Sequence, residues 1–186
     1  PDRFTDCEIL KFESLIHYYA EDHEKTVECA QKALDLAKEY GFHYECAVNA
    51  HNIGEGYLRL ADFKRAFSSL RYSYELAREH GFKKLEIMNM RVLGYIDASK
   101  FGSSEGRVRI VEAIQYASEH GYVWDLIESK LMLAIVDDQR GEREDAKRLL
   151  REVLRLATDN GHRRSAQEAE KALAALDRGE AIPSPH

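Results

Sequence analysis

Gly41, Gly81, Gly121 and Gly161 stand 40 residues apart. Their neighbours repeat with them: Glu39-Tyr40-Gly41-Phe42, Glu79-His80-Gly81-Phe82, Glu119-His120-Gly121-Tyr122 and Asp159-Asn160-Gly161-His162. A fixed period with matching flanks marks a chain built by stacking one supersecondary unit on its neighbours. Each glycine ends an apolar-periodic run, where a helix closes on a left-handed residue that glycine adopts without steric cost. The aromatic after three of them suits the apolar contact that accompanies such caps. These glycines read as helix C-caps. His80 and His120, one residue earlier, read as polar rings set on helix C-terminal dipoles.

A weaker break falls near the middle of the later periods, at Ala61-Asp62, Phe101-Gly102-Ser103-Ser104 and Arg140-Gly141-Glu142. Each period is therefore expected to hold two helices of roughly 16–18 residues joined by a short turn. Superposing the periods aligns Ile53-Gly54, Leu93-Gly94, Leu133-Ala134 and Leu173-Ala174. Ala66, Gly106 and Ala146 then coincide, with Leu70, Ile110 and Leu150 four residues on, and Ala37, Ala77, Ala117 and Ala157 form a third register. Small residues at one place let helices approach, and the aliphatic stripe beside them fills the space. The first period fits poorly, because Glu13-Ser14 stands at the aliphatic–small position. Prolines occur only as Pro1, Pro183 and Pro185, leaving the interior free of helix breakers. The predicted fold class is all-α, a right-handed α-solenoid of antiparallel hairpins in a single domain over residues 1–178. Its hairpins fall at about 1–41, 42–81, 82–121 and 122–161, with a capping helix over 162–178 and a disordered tail over 179–186.

The charge balance narrows the partners. A net charge of −6 argues against a general nucleic-acid or membrane-surface binder. No apolar run approaches the roughly 20 residues of a membrane span. Cys7, Cys29 and Cys46 lack CxxC spacing and read as reduced thiols of a cytoplasmic protein. His43, Glu45 and Cys46 cluster without the HExxH spacing that aims two ligands from one helix, and no GxGxxG, GxxxxGK[ST] or GxSxG occurs. No metal, cofactor or catalytic residue is expected, so the chain does not read as an enzyme. Asp97, Asp137 and Asp177, one per period, read as acids holding a neighbouring helix rather than as an acid–base pair. Arg140, Arg143, Lys147, Arg148, Arg151 and Arg155 alternate with Glu142, Glu144, Asp145 and Glu152, the pattern of a solvated, salt-laced helix. Trp124 is expected to pack under the Gly121 turn.

The second period reads Ala50-x-x-Ile53-Gly54-x-x-Tyr57 followed by Ala66-x-x-x-Leu70. This resembles the tetratricopeptide repeat signature, with a period of 40 in place of 34, no closing proline, and Asp97 and Asp137 where a Tyr is usual. Longer units of this kind are similar to the arrays of bacterial regulators, the MalT-like transcription activators and the peptide-sensing regulators related to PlcR and Rap. The likeness covers about residues 24–176. It implies a protein- or peptide-binding scaffold, the sensor or interaction module of a larger bacterial regulatory or signalling protein. It also implies that first helices line a concave face. The inward stripe is then His51, Glu55 and Arg59, next Arg91, Tyr95 and Ser99, and last Leu131, Ile135 and Gln139, spaced at i, i+4, i+8 on each helix. Such a stripe grades from polar to apolar and suits a partner segment with one or two apolar anchors. Asn52 has two readings: an amide that holds a partner's backbone, as the resemblance implies, or a tie between helices. The paired lysines that clamp a C-terminal carboxylate in chaperone-binding relatives are missing, Lys171 being the one inner lysine the pattern locates.

The N-terminal stretch carries Phe4, Ile9, Leu10, Phe12, Leu15, Ile16, Tyr18 and Tyr19, more than one buried stripe needs. Either an upstream element covers that surface or a second copy does. Self-assembly into a homodimer through Phe4, Phe12, Ile16 and Tyr19 is therefore the alternative function. The chain opens at Pro1 rather than at an initiator methionine, and is expected to be a piece of a longer protein.

Overall fold

The 40-residue beat is a beat of helix ends. In a computed structural model that describes residues 2–183, Gly41, Gly81, Gly121 and Gly161 all take left-handed backbone, with φ of 71°, 72°, 69° and 74°. The residue after each sends its N–H back to a carbonyl one turn earlier: Phe42 to Ala37 (2.9 Å), Phe82 to Ala77 (2.8 Å), Tyr122 to Ala117 (2.9 Å) and His162 to Ala157 (2.8 Å). This is the Schellman arrangement. The third alanine register thus accepts the closing hydrogen bond, and all four alanines are fully buried. The midway turns use the same left-handed backbone at Glu21, Ala61, Gly102 and Gly141. Asp22 and Asp62, also 40 apart, then start the next helix by accepting from the N–H of Lys25 (3.3 Å) and Arg65 (3.0 Å).

Among the described residues every regular element is a helix: α1 (Arg3–Tyr19), α2 (His23–Tyr40), α3 (His43–Arg59), α4 (Phe63–His80), α5 (Lys83–Lys100), α6 (Ser104–Glu119), α7 (Val123–Gln139), α8 (Arg143–Asp159) and α9 (Arg163–Asp177). They form two compact units that divide within α5, one ending at Asn89 and the other beginning at Met90.

In the first unit α1 packs on α2, α2 on α3, α3 on α4, and α1 also on α3. The poor fit of the first period is resolved here. Ser14 lies 40 residues before Gly54 and is fully buried, and its hydroxyl donates to the carbonyl of Thr26 at 2.9 Å. Thr26 in turn stands 40 residues before Ala66 and is also buried. The first hairpin keeps the beat with small hydroxyl residues, each hydroxyl satisfied by backbone, where later hairpins use glycine and alanine. Cys7 belongs to this core; burial first, then the charges of Glu45 and Glu8, push its thiol up to about 11. A thiol held so firmly protonated is a poor nucleophile.

In the second unit α6 packs on α7, α7 on α8, α8 on α9, and α7 on α9. Gly94 and Gly106 meet where α5 crosses α6; a Cβ on either would lie within 2.6 Å of the other's carbonyl oxygen. The repeated acids act as inter-helix ties. Asp137 on α7 takes Arg107 of α6 (2.7 Å), Asp177 on α9 takes Lys147 of α8 (2.7 Å), and Asp97 on α5 takes Arg109 of α6. In the basic stripe of α8, Arg143 pairs with Asp138 (3.2 Å) and Arg148 with Asp145 of its own helix (2.8 Å). Trp124, expected under the Gly121 turn, is 42% exposed and meets the edge of His162 at 5.0 Å, while Tyr122 beside the cap stacks on His120. Past α9, Ile182 packs on the apolar cluster around Ile127 and Leu150, and its N–H donates to Asp138 at 2.8 Å. Within the stretch expected to be a disordered tail the chain is thus held at Ile182, and the expectation for residues 184–186 lies outside the described residues.

Candidate functional site

The first helices α3, α5 and α7 each carry a buried polar residue in a register outside the apolar and small-residue stripes. Asn49, Asn89 and Ser129 are 40 apart and fully buried. Each bonds the carbonyl four residues back: Asn49 to Glu45 (2.9 Å), Asn89 to Leu85 (2.9 Å) and Ser129 to Asp125 (2.6 Å). Asn89 also donates to Ser73 Oγ at 2.8 Å, and Ser73 donates to the carbonyl of Ala47 at 2.6 Å. Its remaining oxygen lies 2.9 Å from His51 Nδ1. A buried network satisfied in this way fixes the relative placement of the helices that share it. The signal that could have revealed it was the interval between Asn49 and Asn89.

His51 is therefore a buried member of that network. Asn52, one residue on, is half-buried, and its Nδ2 has no hydrogen-bond partner and is cut off from solvent. Glu55 and Arg59 converge on one phenol: Tyr18 donates to Glu55 (3.3 Å) and accepts from Arg59 Nη2 (2.9 Å), with the guanidinium 5.4 Å from the ring centre.

In the second unit Arg91 is buried and pairs with fully buried Asp125 at 2.7 Å, leaving Arg91 Nε and Asp125 Oδ2 without hydrogen bonds. Glu128 lies in the field of Arg91 and accepts from Ser165 at 2.9 Å; burial pushes its carboxyl up, Arg91 and Ser165 offsetting part of that. Tyr95 is fully buried beneath Lys100, whose Nζ lies 5.7 Å from the ring centre. Ser99 is half-buried, with Oγ lacking a hydrogen-bond partner. Leu131 and Ile135 are buried, and Gln139 is exposed. On each helix the stripe expected to face a partner thus begins buried and ends on half-buried or exposed polar residues.

The first unit holds a cavity of about 350 Å³. Tyr44, Val48, His51 and Asn52 of α3 form one wall; Phe82 and the opening of α5, with Lys83, Lys84, Leu85 and Met88, form the other. Apolar walls with a few convergent polar groups are the usual make-up of a ligand site. Lys83 and Lys84 were not located by the sequence pattern, which followed the i, i+4, i+8 stripe and missed the first turn of the next helix. Lys171, the inner lysine the pattern did locate, is exposed on α9.

On α1, Phe4, Phe12, Ile16 and Tyr19 are 44%, 56%, 67% and 73% exposed, although Phe4 also meets the edge of Phe42 at 5.3 Å. Among the described residues no three His, Cys, Asp or Glu side chains are placed to hold a metal ion, and no helix is long and apolar enough to cross a membrane.

No protein-family model and no curated protein matches this sequence. Solved structures do match its fold. Aspartyl phosphate phosphatase F from Bacillus subtilis matches 95% of this chain with a TM-score of 0.80 at 17% identity, and the match spans 46% of the phosphatase. A signal-transduction ATPase with numerous domains from Pyrococcus horikoshii, which carries a tetratricopeptide repeat sensor, matches 92% of this chain and 27% of its own length (TM-score 0.73, 19% identity). A Rap protein complexed with Competence and Sporulation Factor matches 88% of this chain and 49% of its own length (TM-score 0.57, 20% identity). This chain spans less than half of each of these proteins. The likeness shows the fold: an all-α helical-repeat solenoid of the tetratricopeptide and Rap kind.

Proposed function

We propose that this chain is a protein- or peptide-binding module, the sensor or interaction part of a larger regulatory or signalling protein of the bacterial type. The observation that carries the reading is the cavity between α3 and the start of α5, apolar in its walls and bordered by the unpartnered amide of Asn52. An unsatisfied, desolvated N–H is costly in the free protein, and a backbone carbonyl or carboxylate from a bound segment relieves that cost. The Rap protein of similar fold is complexed with Competence and Sporulation Factor, and the repeats of the archaeal ATPase are a sensor, which supports the same use here. The proposed contact residue in the first unit is Asn52, Glu55 and Arg59 beside it being held by Tyr18; in the second unit, taken by itself, Ser99 and Gln139 are the proposed contacts. His51, Arg91, Tyr95, Leu131 and Ile135, buried, hold the positions of their neighbours on the same helices. Asp97, Asp137 and Asp177 serve as ties between helices, which favours a binding role over catalysis for them.

Because Tyr95 and Ile135 are buried, truncating them would report on packing rather than on recognition. The test therefore falls on Asn52. Peptides selected from a random display library against the purified chain should bind it by fluorescence anisotropy. Asn52→Ala should weaken binding about fivefold, the loss of one hydrogen bond, with an unchanged far-UV spectrum. A library that yields no peptide binding above an unrelated helical protein would sink the reading.

A second reading is supported by the exposed stripe Phe12, Ile16 and Tyr19 on α1: self-assembly through that face. Sedimentation equilibrium decides it. A monomer at high concentration, or a dimer that persists in Phe12→Asp with Ile16→Asp, removes this alternative.

A further inference from the structure

We infer that the cavity of the first unit selects an acidic side chain next to an apolar one in the bound segment, with the carboxylate held between Lys84 and Asn52. The inference rests on the peptide-binding reading and specifies the chemistry of its partner. Every charged group lining the cavity is cationic or a histidine, in a chain whose net charge is −6. Lys83 is committed to Glu86 at 3.0 Å. Lys84 is exposed and makes no ion pair among the described residues. Asn52 supplies a buried donor that no protein acceptor reaches.

The rest of the lining is apolar: Val48, Leu85 and Met88, with the rings of Tyr44 and Phe82, which meet edge-on at 5.1 Å. Met adapts its shape to whatever fills the gap. The volume, about 350 Å³, is at the small end for ligand sites and suits one or two side chains rather than a cofactor. One available lysine with one amide matches a single negative charge. A phosphate would call for the planar, bidentate arginine that this cavity lacks. The nearest carboxylate on α3 after the cavity residues, Glu55, is occupied by Tyr18.

The test titrates the isotope-labelled full chain with N-acetyl-Glu-Phe-amide and N-acetyl-Gln-Phe-amide. The Glu probe should shift the side-chain amide of Asn52 and the signals of Tyr44 and Lys84, at about fivefold lower concentration than the Gln probe. Lys84→Gln, a surface change, should erase that preference and leave the fold intact. Equal response to both probes, no response to the Glu probe, or a preference that survives Lys84→Gln overturns the inference. N-acetyl-Gln-Phe with a free C-terminus is the third arm; if it matches the Glu probe, the site reads a chain end and the side-chain assignment falls. In each of these cases library peptides that still bind the chain keep the broader reading alive, and their absence removes both.

Discussion

Gly106→Ala probes a close helix crossing, that of α5 and α6. A Cβ added at Gly106 would lie 2.4 Å from the backbone nitrogen of Ala98, 2.5 Å from the carbonyl oxygen of Gly94 and 2.8 Å from Cβ of Asp97. None of these is the far end of a side chain, so none can swing aside, and α6 must withdraw from α5. Overpacking of this kind costs about 1–3 kcal/mol. Against it stands the gain of about 1 kcal/mol when alanine replaces glycine inside a helix. With two backbone atoms near 2.5 Å the upper half of the range applies, and the net loss should be about 1–2 kcal/mol. Hairpin four carries Ala134 and Ala146 in the same two registers, both fully buried, so methyl groups are accommodated where the helices stand further apart. The assay is urea unfolding followed by far-UV circular dichroism, read as a lower midpoint at unchanged slope. A variant as stable as the parent, or more stable by the propensity gain alone, would refute the close approach of α5 and α6.

Three further outcomes follow from the packing. Ala61 holds φ of 57° at an exposed turn; Ala61→Gly should raise stability by roughly 0.5–1 kcal/mol, the relief of left-handed strain exceeding the added entropy of the unfolded chain, and an unchanged or lower melting temperature contradicts that. Asp125→Ala leaves Arg91 buried without its partner and should cost about 3–5 kcal/mol, whereas Arg91→Met combined with Asp125→Leu should stay near the parent in the same denaturation assay. The carboxyl of Glu128 is raised above its ordinary 4.5 by burial, so the folded state binds its proton more tightly than the unfolded chain. The stability it contributes is complete below pH 4.5 and is lost as pH rises through the folded value. Glu128→Gln should therefore flatten this part of the stability–pH curve and raise the midpoint at pH 8, and a parallel curve refutes it.

Much of the fold was legible because helix ends and crossings demand particular residue types. A left-handed cap calls for glycine, and a close crossing calls for a small residue, so Gly41 and its three successors, and the alanine registers, could be read as positions. What stayed hidden were positions where different chemistry does the same work. Ser14 and Thr26 are small enough for the crossing but polar, and only the structure shows the hydroxyl of one reaching the carbonyl of the other. Asn49 and Asn89 look like surface amides until their bonds to the preceding turn are seen. The site was less legible than the fold. A stripe at i, i+4, i+8 does not distinguish a helix with one buried side from one buried on several, and Tyr95, Leu131 and Ile135 fall on the buried sides. The lysines beside Asn52 come from the opening turn of the next first helix, a neighbour in space that no pattern within one helix reaches.

The central claim is that the first-helix face around Asn52 binds a partner segment. The most direct measurement is a titration of the isotope-labelled chain with the tightest peptide from the display selection, following every backbone and side-chain amide. The Asn52 amide should move among the largest, as its unpartnered donor gains an acceptor, while signals of Phe12 and Ile16 on α1 stay in place. Shifts gathered on the α1 stripe, with Asn52 unmoved, would contradict it.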